Sequence, residues 1–218
     1  MATQKFYAVA NGRVPGIYTT WKECQDQTSG FSGAVYRSFS TFDEADQYIE
    51  DYETKNGQKT GIHEDALLPI FELRKKYNDN SKAIAFVDGS FYEPDFRYSC
   101  GGIVIFNGNV KEFAEAGDDY NLVSMRNVAG EILGSKKAMQ ICLDNNIPEL
   151  NLFYDYEGIE NWCTGVWKTN KVGTMDYKNY YDSIKSKLKV NFIKVKGHSG
   201  VELNERVDRL AKGALGLV

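Results

Sequence analysis

Apolar positions along this chain follow two rhythms, and each marks a different kind of element. Lys5 to Ala10, Gly16 to Trp21 and Ala34 to Ser40 are short runs rich in β-branched and aromatic residues, which predicts three strands. Asn11-Gly12 supplies a hairpin turn between the first two. Thr20 is placed to cap a short helix that runs through Cys24 and Gln27 and stops near Gly30. Thr41 and Glu44 form a capping box ahead of a helix with Ala45, Tyr48 and Ile49 along its apolar face. Residues 1–53 therefore read as a small ββαβα domain, of a size at which some domains fold alone. Residues 54–80 read as a linker. Thr54 to Gly61 is polar and full of breakers, while His63 to Tyr77 has apolar character interrupted by Pro69 and is suited to docking on either flanking domain.

Residues 81–218 alternate strands with helices. Ala83 to Val87 is an apolar run that ends in Asp88-Gly89-Ser90. Tyr98 to Phe106 and Asn109 to Ala116 predict two further strands joined by an Asn107-Gly108 turn. A helix is expected over 127–145, with Val128, Ile132, Ser135, Met139 and Cys142 on one stripe. Leu150 to Tyr154 reads as a strand, 157–164 and 177–188 as helices, Val190 to Val195 as a last strand and 201–215 as a last helix. The expected architecture is α/β, a mixed five-stranded sheet with flanking helices.

Composition narrows the picture only a little. Apolar residues make up 42% and charged residues 26%, as in a soluble globular protein. A net charge of -4 leaves no overall basic footprint, so any contact with nucleic acid must come from local patches. Cys24, Cys100, Cys142 and Cys163 are scattered, which suits free thiols in a reducing compartment better than a zinc site. No apolar stretch approaches the ~18 residues of a membrane span, and no signal-like segment precedes Lys5. A cytoplasmic protein without membrane attachment is expected, and a monomer.

The chemistry lies in four acids. Asp88 and Asp155 end apolar strand-like runs, Glu131 sits beside Gly130 early in the long helix, and Asp208 shares the last helix with Val207 and Leu210. A charge at the end of a buried strand is costly unless paired or bound to metal. Taken singly, each has a plain alternative, a turn for the two aspartates and a solvated helix face for Glu131 and Asp208.

Their order and setting resemble the catalytic quartet of the ribonuclease H domain. Lys196-Gly-His-Ser-Gly200 followed by Asn204-Glu-x-x-Asp208 resembles the most specific block of that family, and Asp88-Gly-Ser90 its first motif. Phe6 to Val9, Asn11-Gly-Arg13, Gly16 to Trp21, Cys24, Phe39 and Thr41-x-x-Glu-Ala45 resemble the hybrid-binding, viroplasmin-like domain found at the N-terminus of type 1 ribonucleases H. The resemblance implies that Asp88, Glu131, Asp155 and Asp208 hold two magnesium or manganese ions and act catalytically, with His198 relaying a proton or helping product release. A capping role for His198 in its loop is the plain alternative. It implies nucleic-acid contacts by Ser90 and Asn127, a contact of Glu131 with the RNA 2′-hydroxyl, and a grip on the DNA strand through Trp167, Lys168, Thr169 and Lys171. Lys196 belongs to the same nucleic-acid-binding set. In the N-terminal domain it implies sugar contacts by Tyr7, Trp21 and Tyr36 and a phosphate contact by Arg37; the alternative is that these aromatics are core.

Three features depart from the family pattern. Asp155 is followed by Tyr156 where Ser is usual, the stretch after Ser90 is Phe-Tyr-Glu-Pro-Asp-Phe-Arg, and Ser38 stands where a second Lys is common. The N-terminal 53 residues carry four basic against eight acidic side chains, which weakens phosphate neutralisation. The expected activity is endonucleolytic cutting of the RNA strand of RNA/DNA hybrids, leaving 5′-phosphate and 3′-hydroxyl ends. Double-stranded RNA is a further expected ligand of the N-terminal domain. The alternative is a catalytically inactive protein that binds hybrids or double-stranded RNA.

Overall fold

The computed structural model describes residues 5–13, 15–55, 63–195 and 202–218, excluding the side chains at 42, 43, 46, 50 and 53–55. The chain divides into two units, 1–61 and 62–218. In the smaller one, β1 (Phe6–Asn11) pairs antiparallel with both β2 (Gly16–Tyr18) and β3 (Val35–Phe39). Helix α1 (Trp21–Thr28) is closed by a capping box in which Thr20 Oγ1 accepts from the Glu23 N–H at 3.2 Å and Glu23 accepts from the Thr20 N–H at 3.1 Å. Thr41 and Glu44 make the same reciprocal pair ahead of α2 (Phe42–Lys55).

The larger unit begins earlier than its first strand. Residues Glu64–Leu67 form a 3₁₀ turn, followed by α3 (Ile70–Lys76). Ala66, Leu73 and Tyr77 bury against Ile84, Phe86, Ile103, Ile105 and Phe153, so this part of the expected linker belongs to the larger unit. Then follow β4 (Ala83–Tyr92), β5 (Arg97–Phe106), β6 (Asn109–Gly117), α4 (Tyr120–Val123), α5 (Asn127–Asp144), β7 (Glu149–Tyr154), α6 (Gly158–Thr164), α7 (Val172–Ile184), β8 (Lys189–Lys194) and α8 (Glu202–Ala214). The strands form one mixed sheet in the order β6-β5-β4-β7-β8, antiparallel from β6 to β4 and parallel from β4 to β8. Asn107 and Gly108 turn the β5–β6 hairpin with φ of 48° and 67°, which is why a glycine stands there.

Alternation along the strands sorts the core into two layers. Ala83, Ala85, Val87, Leu150, Leu152 and Tyr154 face α5, α6 and α7, whereas Ile84, Phe86 and Phe153 face α8 and the 63–77 segment. Two expectations need correction. Asp88 does not end its strand: it pairs with Gly101 and β4 continues to Tyr92, because β5 accompanies it well beyond Phe86, where the β7 pairing stops. Helix α7 starts at Val172 rather than near Tyr177, since Thr174 Oγ1 accepts from the Lys171 N–H at 3.2 Å and closes an earlier first turn. All four cysteines are buried and free. Among the described residues, no helix is long and apolar enough to cross a membrane.

Candidate active site

The same alternation aims the aspartates. Asp88 follows Ile84 and Phe86 on the α8 side of β4, and Asp155 follows Phe153 in the same sense. Helix α8 comes close enough to meet them because Gly101, the partner of Asp88, has no side chain. A Cβ at Gly101 would lie 2.1 Å from the Val207 carbonyl oxygen and 2.6 Å from the Ala211 nitrogen. On the other face, a Cβ at Gly89 would lie 2.1 Å from the Asn127 carbonyl oxygen and 2.6 Å from the Glu131 nitrogen. One at Gly130 would lie 1.8 Å from the Ser99 carbonyl oxygen. These glycines let α5 and α8 press on the sheet at one level, which brings Glu131 and Asp208 beside Asp88.

Asp88, Asn127, Asp155, Asn204, Glu205 and Asp208 line a cleft of about 140 Å³. Glu131 is buried beside it, 1% exposed, and accepts the Tyr156 N–H at 3.2 Å. Burial, and then the charge of Asp155, push the Asp88 carboxyl up to about 7; the Gly89 N–H, 2.6 Å from Asp88 Oδ1, works against this. Burial also drives Glu131 well above the usual carboxylate range, reinforced by Asp155 and Asp88, and Glu131 shares a hydrogen bond with Asp155. Asp208 is held by Lys212, with Nζ 2.7 Å from Oδ2. Among the described residues, no three ligand-type side chains converge on one point as placed. Each acid is instead tied to a local donor or neighbour. Crowded acids that retain protons form a hard-oxygen donor set, whose chemistry suits a divalent cation that would neutralise it.

A second cleft of about 320 Å³ adjoins the first, with Asn127 common to both. Its polar rim includes Arg126, Lys168, Asn170 and Lys171, and Tyr156 and Trp162 form part of its apolar wall. Trp167 stands behind that wall, its ring 6.2 Å from Tyr156 and 6.0 Å from Trp162, while Thr169 lines neither cleft. Ser90 shares the face of Asp88 but is buried. Lys196 and His198 lie outside the described residues. Arg126 and Lys212 were not singled out from sequence, whereas Asn204 and Glu205 were read in the last-helix block without a role. The N-E-x-x-D spacing was a signal for the last two, since it puts Asn204 one helical turn from Asp208.

In the smaller unit Trp21 lies between Tyr7 and Tyr36, with ring centroids 5.7 and 5.9 Å away. Trp21 and Tyr36 are nearly half exposed, at 47% and 44%, so they form a surface row rather than core. Arg37 stands apart from them. Alternation along β3 turns it to the opposite face from Tyr36, and its guanidinium lies over Phe39 at 5.5 Å.

Comparison with known proteins bears on the family and the fold. The family model for the ribonuclease H1 N-terminal domain matches residues 5–49, and the model for RNase H matches residues 80–215, more than half of the chain. Human ribonuclease H1 is 27% identical over 252 residues, covering 95% of this chain and 88% of that protein. A Clostridium botulinum ribonuclease H is 30% identical over 142 residues, covering 62% of this chain and 95% of that protein. Among solved structures, RNase H1 of the halophilic archaeon Halobacterium salinarum shares the fold with a TM-score of 0.52 at 19% identity, over 63% of this chain and 99% of that one. With its acids gathered at one cleft and its larger unit matched almost throughout, the chain belongs to the ribonuclease H family.

Proposed function

We propose that the protein hydrolyses the RNA strand of RNA/DNA hybrids, using two divalent cations held by Asp88, Glu131, Asp155 and Asp208 and leaving 5′-phosphate and 3′-hydroxyl ends. The observation that carries this reading is the meeting of three aspartates at one cleft, with Glu131 buried beside them and a basic cleft sharing Asn127. Bound magnesium there would supply Lewis-acid stabilisation for both the attacking and the leaving oxygen. The chain's own residues do the rest. Asp88 feels the charge of both Asp155 and Asp208 and would be the ligand shared by the two ions. Glu131, fixed by the Tyr156 N–H, is suited to reading the RNA 2′-hydroxyl. Arg126, Lys168 and Lys171 give the second cleft the positive charge that the chain lacks as a whole, and hold the DNA strand by its phosphates. The Tyr7–Trp21–Tyr36 row offers flat faces for sugars of the same hybrid.

The test is cleavage of an end-labelled RNA/DNA hybrid in magnesium by the parent and by Asp155→Asn, beside double-stranded RNA of the same sequence. Cutting of the hybrid alone, lost in the variant, supports the reading. Tight hybrid binding without cutting in magnesium or manganese overturns it in favour of a binding protein.

A further inference from the structure

Tyr156, one of the residues that depart from the family pattern, makes contacts in two directions. Its backbone N–H donates to Glu131 Oε2 at 3.2 Å. Its ring lies 5.7 Å from Trp162 and 6.2 Å from Trp167, and those two lie 6.0 Å apart, closing a triangle of aromatics. The seat for the ring is prepared by Gly158, where a Cβ would come within 2.4 Å of Tyr156 Cε1 and 2.7 Å of Trp162 Cη2. The backbone at Trp167 is pinned in turn, its amide N–H donating to the Asn161 carbonyl at 3.0 Å just before Lys168. One residue thus holds a catalytic carboxylate with its backbone and forms the wall of the basic cleft with its side chain. A Ser in this place would keep the N–H and lose the wall.

We propose that Tyr156 is a positioning residue that couples the two clefts: a strand seated against the Tyr156–Trp162 wall, which Trp167 backs, fixes the Tyr156 amide and, through it, Glu131. This rests on the hybrid-cleavage reading above. The transmission needs no large motion. Ring and amide share one Cα, and packed aromatics pass on small displacements rather than absorb them. A misplacement of about 1 Å at a catalytic group costs up to about a hundredfold in rate.

The test compares Tyr156→Ser, Tyr156→Phe and Lys168→Ala in the full chain. A second readout is tryptophan emission on adding magnesium without nucleic acid. It uses a Trp21→Phe background, which leaves Trp162 and Trp167 of the three tryptophans. Tyr156→Ser is expected to lower kcat about tenfold and to raise KM, whereas Tyr156→Phe stays within about twofold of the parent in both. Lys168→Ala raises KM alone. Magnesium changes the emission of the parent and of Tyr156→Phe, but not that of Tyr156→Ser. An unchanged kcat in Tyr156→Ser, equal damage in Tyr156→Phe, or an emission response missing from the parent or surviving in Tyr156→Ser overturns the proposal. Should Tyr156→Ser lose cooperative melting, Tyr156→Leu takes its place with the same expectations. A parent that cuts no hybrid refutes the hybrid-cleavage reading instead, and the emission titration then decides this one alone.

Discussion

Asp88 and Glu131 retain protons for the same two reasons, burial and the neighbouring acids, and that has a measurable consequence for the metal-free protein. A carboxyl whose folded-state pKa is raised binds more protons folded than unfolded, so stability falls as pH climbs from the unfolded value, about 4, through the folded one. For Asp88 that upper limit is about 7. In chelator, the melting temperature of the parent should therefore drop over this range relative to that of Asp88→Asn, and magnesium should restore it most at the alkaline end. Parallel melting curves for the two proteins across this range would refute the assignment. The four acids were readable in the sequence through their order and setting together, strand, helix, strand and helix, since each taken singly reads as a turn or a solvated helix face. Lys212 and Arg126 were not. Lys212 is one of several cations on α8, and Arg126 acquires its setting from Glu93, 33 residues away, at 2.8 Å and from the Phe91 ring at 5.5 Å. The unusual stretch after Ser90 thus serves to hold the residue that precedes Asn127.

At the scale of elements, the site depends on two helices reaching the sheet at the same level from opposite faces. Gly89 and Gly130 could be read in advance as points of close approach, because each adjoins a carboxylate. Gly101 could not, since it sits inside an apolar run and its function appears only when α8 is laid across β5. Substituting alanine there places a methyl against the Val207 carbonyl at 2.1 Å, and backbone cannot yield as a side-chain tip would. Gly101→Ala should cost about 3 kcal/mol by overpacking. It should also lower hybrid cleavage about a hundredfold by moving Asp208 away from Asp88. Denaturant unfolding and single-turnover kinetics check the two parts separately; a variant that folds as well as the parent and cuts as fast would show that α8 does not set the site. Gly173 hid a boundary in the same way. A glycine near a helix start lowers the local propensity, yet here it sits against α4, where a Cβ would lie 2.5 Å from Leu122 Cδ2.

On the scale of the whole chain, the proposed reading gives capture of the hybrid to the smaller unit and cutting to the larger, so each should leave a different kinetic mark. Removing the central ring of the aromatic row, Trp21→Ala, should weaken hybrid binding about tenfold through lost stacking. It should leave kcat at saturation unchanged, which anisotropy and initial rates can separate; a fall in kcat would place Trp21 in catalysis rather than capture. The segment between the units was ambiguous in sequence because its apolar residues suit either neighbour, and a buried polar chain decides the matter. Asp65, 1% exposed, accepts from Lys76 Nζ at 2.5 Å and from the Tyr77 hydroxyl at 2.6 Å. Asn151 of β7 donates to the same hydroxyl at 2.9 Å and accepts from Asn191 of β8 at 2.9 Å. Burial alone would raise the Asp65 carboxyl, but the hydrogen bonds from Lys76 and Tyr77 outweigh it and bring it below its usual value. A lowered folded-state pKa gives stability that is complete above the unfolded value, about 4, and lost as pH falls further. Lys76 is partly solvated, at 43% exposure, so the loss in Asp65→Ala is set below that of a fully buried pair, at about 2 kcal/mol. For a unit of this size that lowers the melting temperature by roughly 4–8 °C near neutral pH. The gap from the parent should narrow as the solution is acidified, because both proteins then lack the charged carboxylate. A variant that melts with the parent at neutral pH would mean that residues 63–77 are a tether resting on the sheet; the expected gap makes them part of the catalytic unit's fold.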